Sequence, residues 1–285
     1  MAKQWRPLRV LIIGRQDNFS RVLTTTIEHW GHEVIMLPTA VTLCDDGRNV
    51  VEGDVLLYDL DESFRALTMG KDMPTVQHGL LAADFLQSWG QQWLHVRFIV
   101  ALSSRSIART TLEEIGAVAL LQKPFEMGRL QRYLDVLRRV VCSYSRVDEE
   151  KKLEEDESNG NIRVLVVDDD RDVAQSISQC LLSEQGYEVT VAYDGLEALE
   201  RCIDWRPQCI VTDLIMPWMN GYQVMRCLSA SSLQTMPAFV VMSALTQLEV
   251  PVNRSYLDGK MVTYVDKPFQ IDHLLHAIKQ VCAVS

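Results

Sequence analysis

The sequence predicts an α/β protein of two doubly wound domains, each a five-stranded parallel sheet with helices on both faces. Three observations predict it. Short apolar runs rich in β-branched residues, such as Val164-Leu165-Val166-Val167, pass straight into polar residues with no turn between them. That is the pattern of a strand buried on both faces. Such runs alternate with amphipathic segments of helix length, which calls for parallel crossovers. The plan occurs twice in 285 residues, enough chain for two cores.

In the first half, strands are expected at 8–13, 32–37, 55–59, 97–102 and 117–121. A helix over 18–30 carries Val22, Leu23, Ile27 and Trp30 at helical spacing, with Gly31 as its cap. Further helices are expected around 80–89, over 106–115 and over 127–142. From 143 the composition changes, and the run Asp148-Glu149-Glu150-Lys151-Lys152-Leu153-Glu154-Glu155-Asp156-Glu157 is almost free of apolar residues. Residues 143–160 therefore read as a charged linker between a domain at 5–142 and a second at 161–285.

The second half repeats the order. The strand at Val164 is followed by a helix over 172–185 with Val173, Ile177, Cys180 and Leu181 on one face and Gly186 as its cap. Strands follow at 188–192, 209–212, 238–242 and 262–265, with helices at 196–203, 222–228 and 271–281. The halves match as an internal repeat. Gly31-His32-Glu33-Val34 falls opposite Gly186-Tyr187-Glu188-Val189, Asp59 opposite Asp213, and Lys123-Pro124-Phe125 opposite Lys267-Pro268-Phe269. The spacing of the matches shrinks by roughly ten residues between Asp59 and Lys123, which places an insertion after Asp61.

Composition narrows the function. An apolar fraction of 47% and a charged fraction of 23% are those of an ordinary globular chain. No apolar run approaches membrane-spanning length and no signal segment opens the chain, so a cytoplasmic protein is expected. Seven cysteines without a CxxC pair fit reduced thiols used as small core residues. A formal charge of −10 argues against broad nucleic-acid binding.

The chemistry concentrates at strand ends in the second half. The first strand delivers Asp168 and Asp169, the third Asp213, the fourth the Ser243 hydroxyl, and the fifth Lys267, followed by Pro268. In a parallel sheet these ends face one crevice. Adjacent acids repel, and a divalent cation holds them at least cost. Mg²⁺ accepts a few carboxylate oxygens together with water and phosphate oxygens, and a lysine and a hydroxyl can hold the remaining phosphoryl oxygens. An aspartate can then be the nucleophile, giving an acyl phosphate. Asp170 or Asp172 is expected to cap the next helix. His273 and His276, one turn apart, are expected to be solvated because no third metal ligand is in view.

These residues closely resemble the receiver domain of two-component response regulators. The resemblance covers 161–284 and rests on Asp168-Asp169, on Asp213 followed by Met216-Pro217 and Gly221, on Ser243-Ala244, on Tyr264 three residues before Lys267-Pro268, and on the Asp194-Gly195 turn. It implies a flavodoxin-like fold for each half. It also implies that Asp213 is the phosphoacceptor and that Asp169, Asp213 and the Ile215 backbone carbonyl bind Mg²⁺, with Asp168 acting mainly through water. Lys267 would pair with Asp213 and then with the phosphoryl group. Ser243 would move to bond a phosphoryl oxygen, and the switch residue Tyr264 would turn inward behind it.

The first half departs from the pattern. Gly14 and Arg15 stand in place of the paired acids, Leu120 in place of the switch tyrosine, and Leu102 or Ser103 opposite Ser243, while Asp59 and Lys123 remain. A degenerate receiver is expected, with weak Mg²⁺ binding and no phosphorylation of Asp59. The plain expectation is a decayed domain kept for packing or partner binding; the sharper one is that Arg15 and Lys123 both pair with Asp59, a guanidinium replacing the metal. In the second half, 246–259 contains Pro251 and little helical periodicity, so a short or irregular helix is expected there. Ile215 and Leu245 are apolar where polar side chains could guide an attacking water, which predicts slow loss of the phosphoryl group.

Only four residues follow Val281, and no DNA-binding output domain is expected. The expected function is a response regulator that accepts a phosphoryl group from a histidine kinase or histidine phosphotransfer protein and acts on a downstream protein target. A homodimer is among the expected partners; nucleic acid and membrane are not. Two alternatives stand beside it: a scaffold acting mainly through the first domain, and a phosphate sink or relay intermediate.

Overall fold

The computed structural model describes residues 5–37, 51–61, 94–142, 160–231, 236–244 and 262–282. The chain divides into two compact units, Met1–Arg138 and Arg139–Ser285. The first holds β1 (Arg9–Ile13), α1 (Asn18–His29), β2 (Glu33–Leu37), β3 (Val51–Asp59), β4 (Leu94–Ser103), α2 (Arg109–Glu114), β5 (Ala117–Gln122) and the larger part of α3 (Met127–Cys142). The second runs β6 (Ile162–Val167), α4 (Arg171–Ser183), β7 (Tyr187–Ala192), α5 (Gly195–Trp205), β8 (Cys209–Asp213), α6 (Gly221–Ser229), β9 (Ala238–Ser243), β10 (Val262–Asp266) and α7 (Ile271–Cys282).

Both sheets are five-stranded and parallel throughout, in the orders β2-β1-β3-β4-β5 and β7-β6-β8-β9-β10. This is the doubly wound flavodoxin-like order, and its chain reversal leaves a crevice between the carboxyl ends of β6 and β8. The strands read as continuous apolar runs because both faces are covered. Val164 and Leu165 point to opposite faces, and both are 0% exposed.

Polar side chains cap α4, α5 and α6. Asp170 accepts hydrogen bonds from the Asp172 and Val173 amides at the start of α4, Asp194 from Glu197 at α5, and Asn220 forms a reciprocal capping pair with Gln223 at α6. Gly221, the first residue of α6, lies where the chain approaches β8 closely. A Cβ there would meet the Asp213 carbonyl oxygen at 2.7 Å. Gly221→Ala is therefore expected to destabilise the second unit by roughly 1–3 kcal/mol, read as a lower midpoint in thermal melts.

Two elements of the first unit differ from the sequence expectation. β3 begins at Val51 rather than at residue 55, because Asp54 is accommodated inside it. Its carboxylate accepts two bonds from the Arg6 guanidinium, at 2.7 and 2.8 Å, and one from the Arg9 amide at 2.9 Å. α2 is shorter than 106–115, since the residue before it is Ala108, which offers no side-chain cap. The helix expected at 80–89 and the irregular segment at 246–259 lie outside the described residues, as does the linker apart from Gly160. The six described cysteines are free thiols. Among the described residues, no helix is long and apolar enough to cross a membrane.

Candidate functional site

β6 and β8 run side by side, with Val167 opposite Thr212. The next residue of each strand line is an acid, so Asp168 and Asp213 reach the crevice at the same level. Ligand oxygens of Asp168, Asp169 and Asp213 all lie within 4.8 Å of one another. Asp168 is 2% exposed, whereas Asp169 faces solvent. Lys267, just beyond β10, spans two of the acids: its Nζ donates to Asp168 Oδ2 at 3.1 Å and lies 3.2 Å from Asp213 Oδ1. Asp213 Oδ1 also accepts from the Leu214 amide at 2.8 Å, and Asp168 Oδ1 from the Asp170 amide at 3.0 Å.

The electrostatics follow from three carboxylates facing one ammonium. Burial pushes the Asp213 carboxyl up from its ordinary range; Lys267 pulls it down and the charge of Asp168 adds to the rise. Lys267 is raised on balance: burial disfavours its charge, but the bond to Asp168 and the charge of Asp213 outweigh that. This donor set suits a small hard cation. All the side-chain ligands are carboxylate oxygens, one is open to water, and the local negative charge exceeds what Lys267 can neutralise.

Ser243 ends β9, is buried, and its carbonyl accepts the Lys267 amide at 2.7 Å. Tyr264 in β10 pairs with Val241, and its hydroxyl accepts a hydrogen bond from Tyr222 at 3.3 Å. Tyr222 is a buried residue of α6, and its helical pattern alone marks no contact with β10. Its aromatic hydroxyl one residue after Gly221 was the signal. Ile215 is 55% exposed. Trp218 is an exposed loop aromatic with φ at +67°. His273 and His276 are both exposed on α7.

The corresponding strand ends of the first unit hold a different arrangement. Strand register settles which residue stands opposite Ser243: Asp59 pairs with Leu102 as Asp213 pairs with Met242, so Ser103 corresponds to Ser243. The Lys123 amide donates to the Ser103 carbonyl at 2.8 Å, the same bond that Lys267 makes to Ser243. Lys123 Nζ lies 2.6 Å from Asp59 Oδ2 and 3.2 Å from Asp61 Oδ2, with the Phe19 ring 4.7 Å away. Burial raises the Asp59 carboxyl against the opposing pull of Lys123.

The expected Arg15–Asp59 pair is corrected by the structure. Arg15 is exposed, and among the described residues it forms no ion pair with Asp59. Lys123 already neutralises that carboxylate, and drawing a guanidinium out of water beside it would cost solvation without a free partner to offset it. Asp61 is the second group on Lys123. Gly14 stands where Asp168 stands in the other sheet, and a Cβ there would meet Asp59 Cβ at 3.1 Å.

Comparison with known proteins finds matches over the second unit. Residues 164–279 match the family model described as the response regulator receiver domain. The curated relatives include the response regulator MprA of Mycobacterium ulcerans, 38% identical over 115 residues, covering 40% of this chain and 47% of the relative. The response regulator MprA of Mycobacterium avium is 38% identical over 114 residues, covering 40% and 48%. The chain thus spans about half the length of the curated relatives it matches. Among solved structures, the response regulator domain of Thermotoga maritima CheB is 27% identical, with a TM-score of 0.39, covering 44% of this chain and 98% of that one.

Proposed function

We propose, from a receiver domain over residues 164–279, that the chain works as a cytoplasmic two-component response regulator whose second unit accepts a phosphoryl group on Asp213. The observation that carries this is the cluster of Asp168, Asp169 and Asp213 within 4.8 Å, with Lys267 bridging two of them. The donor would be a phosphohistidine of a kinase or phosphotransfer protein. A carboxylate oxygen of Asp213 forms the new bond to phosphorus as the bond from phosphorus to the histidine nitrogen breaks.

The three acids and the Ile215 carbonyl would hold Mg²⁺, which when bound neutralises charge on the phosphoryl oxygens. Lys267 is placed to leave its ion pairs and meet the same oxygens. Ser243 sits at the end of the neighbouring strand to supply a hydroxyl, and Tyr264 would follow it inward. The altered surface would then act on a protein target. The exposed, apolar Ile215 beside the acceptor offers an attacking water nothing to bond to. The acyl phosphate is expected to persist for minutes in isolated protein, and loss within seconds would contradict that.

Titration with beryllofluoride, a mimic of the acyl phosphate, tests the reading. With Mg²⁺ present, tryptophan fluorescence is expected to respond through Trp218, five residues beyond the acceptor. The response should vanish in Asp213→Asn. A response that survives this substitution, or that needs no divalent cation, would count against the assignment.

A further inference from the structure

We propose that Lys123, the Ser103 hydroxyl and the Ser104 amide form an oxyanion-binding site in the first unit whose ligand is the chain's own Asp61 carboxylate. Asp61 Oδ1 accepts from Ser103 Oγ at 3.1 Å and from the Ser104 amide at 2.9 Å. Its Oδ2 accepts from the same amide at 2.9 Å and from Lys123 Nζ at 3.2 Å. The donors come from the ends of β4 and β5, more than forty residues away in sequence, and converge on one side chain that is 15% exposed. An ammonium, a hydroxyl and a backbone amide are the set that holds a phosphate or carboxylate oxygen. These bonds also hold the Asp61 carboxyl below its ordinary range despite its burial.

Position explains why the occupant is internal. Asp61 stands two residues after Asp59, as Ile215 stands two residues after Asp213. Ile215 is exposed, whereas Asp61 turns in and bonds Lys123. Gly14 and Arg15 contribute no carboxylate there, so an internal anion meets one fewer pair of like charges than it would beside Asp168 and Asp169. The end of β4 is thereby fixed by a permanent ligand, where the second unit would take a transient phosphoryl group. That parallel rests on the function proposed above; the Asp61 site itself does not.

The test uses the full chain, in an Asp59→Asn background to remove the neighbouring charge, with inorganic phosphate as the probe. Amide resonances of Ser103, Ser104 and Lys123 are expected to stay unchanged with phosphate while Asp61 is present. In Asp59→Asn, Asp61→Ala they should shift saturably, with affinity at least about tenfold higher. Equal responses in both proteins would overturn the proposal, as would a folded double variant that ignores phosphate. If the alanine variant does not fold, Asp61→Leu keeps the size and removes both acceptor oxygens; it should expose the Ser104 amide to about tenfold faster hydrogen exchange. Unchanged exchange there would equally overturn it. The beryllofluoride response of the second unit should persist in all these variants, so failure here leaves the Asp213 assignment standing, and failure there leaves this one.

Discussion

At pH 7 and without divalent cation, Asp213→Asn is expected to unfold at a higher temperature than the wild-type second unit. The Asp213 carboxyl is raised in the folded state, through burial first and the neighbouring charge of Asp168 in addition, against the pull of Lys267. The folded protein therefore binds more protons than the unfolded chain between the ordinary aspartate value, about 3.9, and the raised one. The contribution of Asp213 to stability falls as pH climbs through that window, and the penalty is complete above it. Asparagine carries no such charge, and Lys267 keeps Asp168 as a partner. The gap is expected to be on the order of 1 kcal/mol at pH 7, a few degrees in midpoint, and to close below about pH 4. Calorimetry across pH 4–7 would measure it; a gap that widens on acidification would contradict the electrostatic account.

Mg²⁺ should reverse that order. Binding to the folded state alone stabilises by mass action, so at a concentration about a hundredfold above the dissociation constant the wild type gains about 2.7 kcal/mol, roughly 10 °C in a domain of this size. Asp213→Asn lacks one of the three carboxylates and should gain much less. Asp169→Ala is the cleaner control. Asp169 is exposed, so its loss leaves the cation-free fold almost untouched while removing a ligand. Its midpoint without Mg²⁺ should match the wild type and its response to Mg²⁺ should shrink severalfold. An undiminished response would place the cation elsewhere.

The strands and their parallel order were legible because β-branched runs and helix-length crossovers admit few arrangements. The strand ends were legible too: residues 168, 169, 213, 243 and 267 come together because their strands end at one level. What escaped notice depended on side-chain direction. Asp54 sits inside β3 only because Arg6, 48 residues before it in sequence, meets its carboxylate. Asp61 reads as an ordinary loop acid, and nothing local says that it turns back onto Lys123 rather than out like Ile215. Arg15 looked like the natural replacement for a metal because it takes the metal-binding position, yet its charge stays in water. The hydroxyl contact between Tyr222 and Tyr264 joins α6 to β10, a contact that pattern alone does not reveal.

Phosphoryl transfer itself tests the central claim most directly. The full chain, Asp213→Asn and Asp59→Asn would each be incubated with a phosphohistidine donor and Mg²⁺, and the acid-stable, base-labile acyl phosphate measured. Labelling of the wild type and of Asp59→Asn, with none in Asp213→Asn, is the expected result. Labelling that survives Asp213→Asn, or that is lost with Asp59→Asn, would contradict the account.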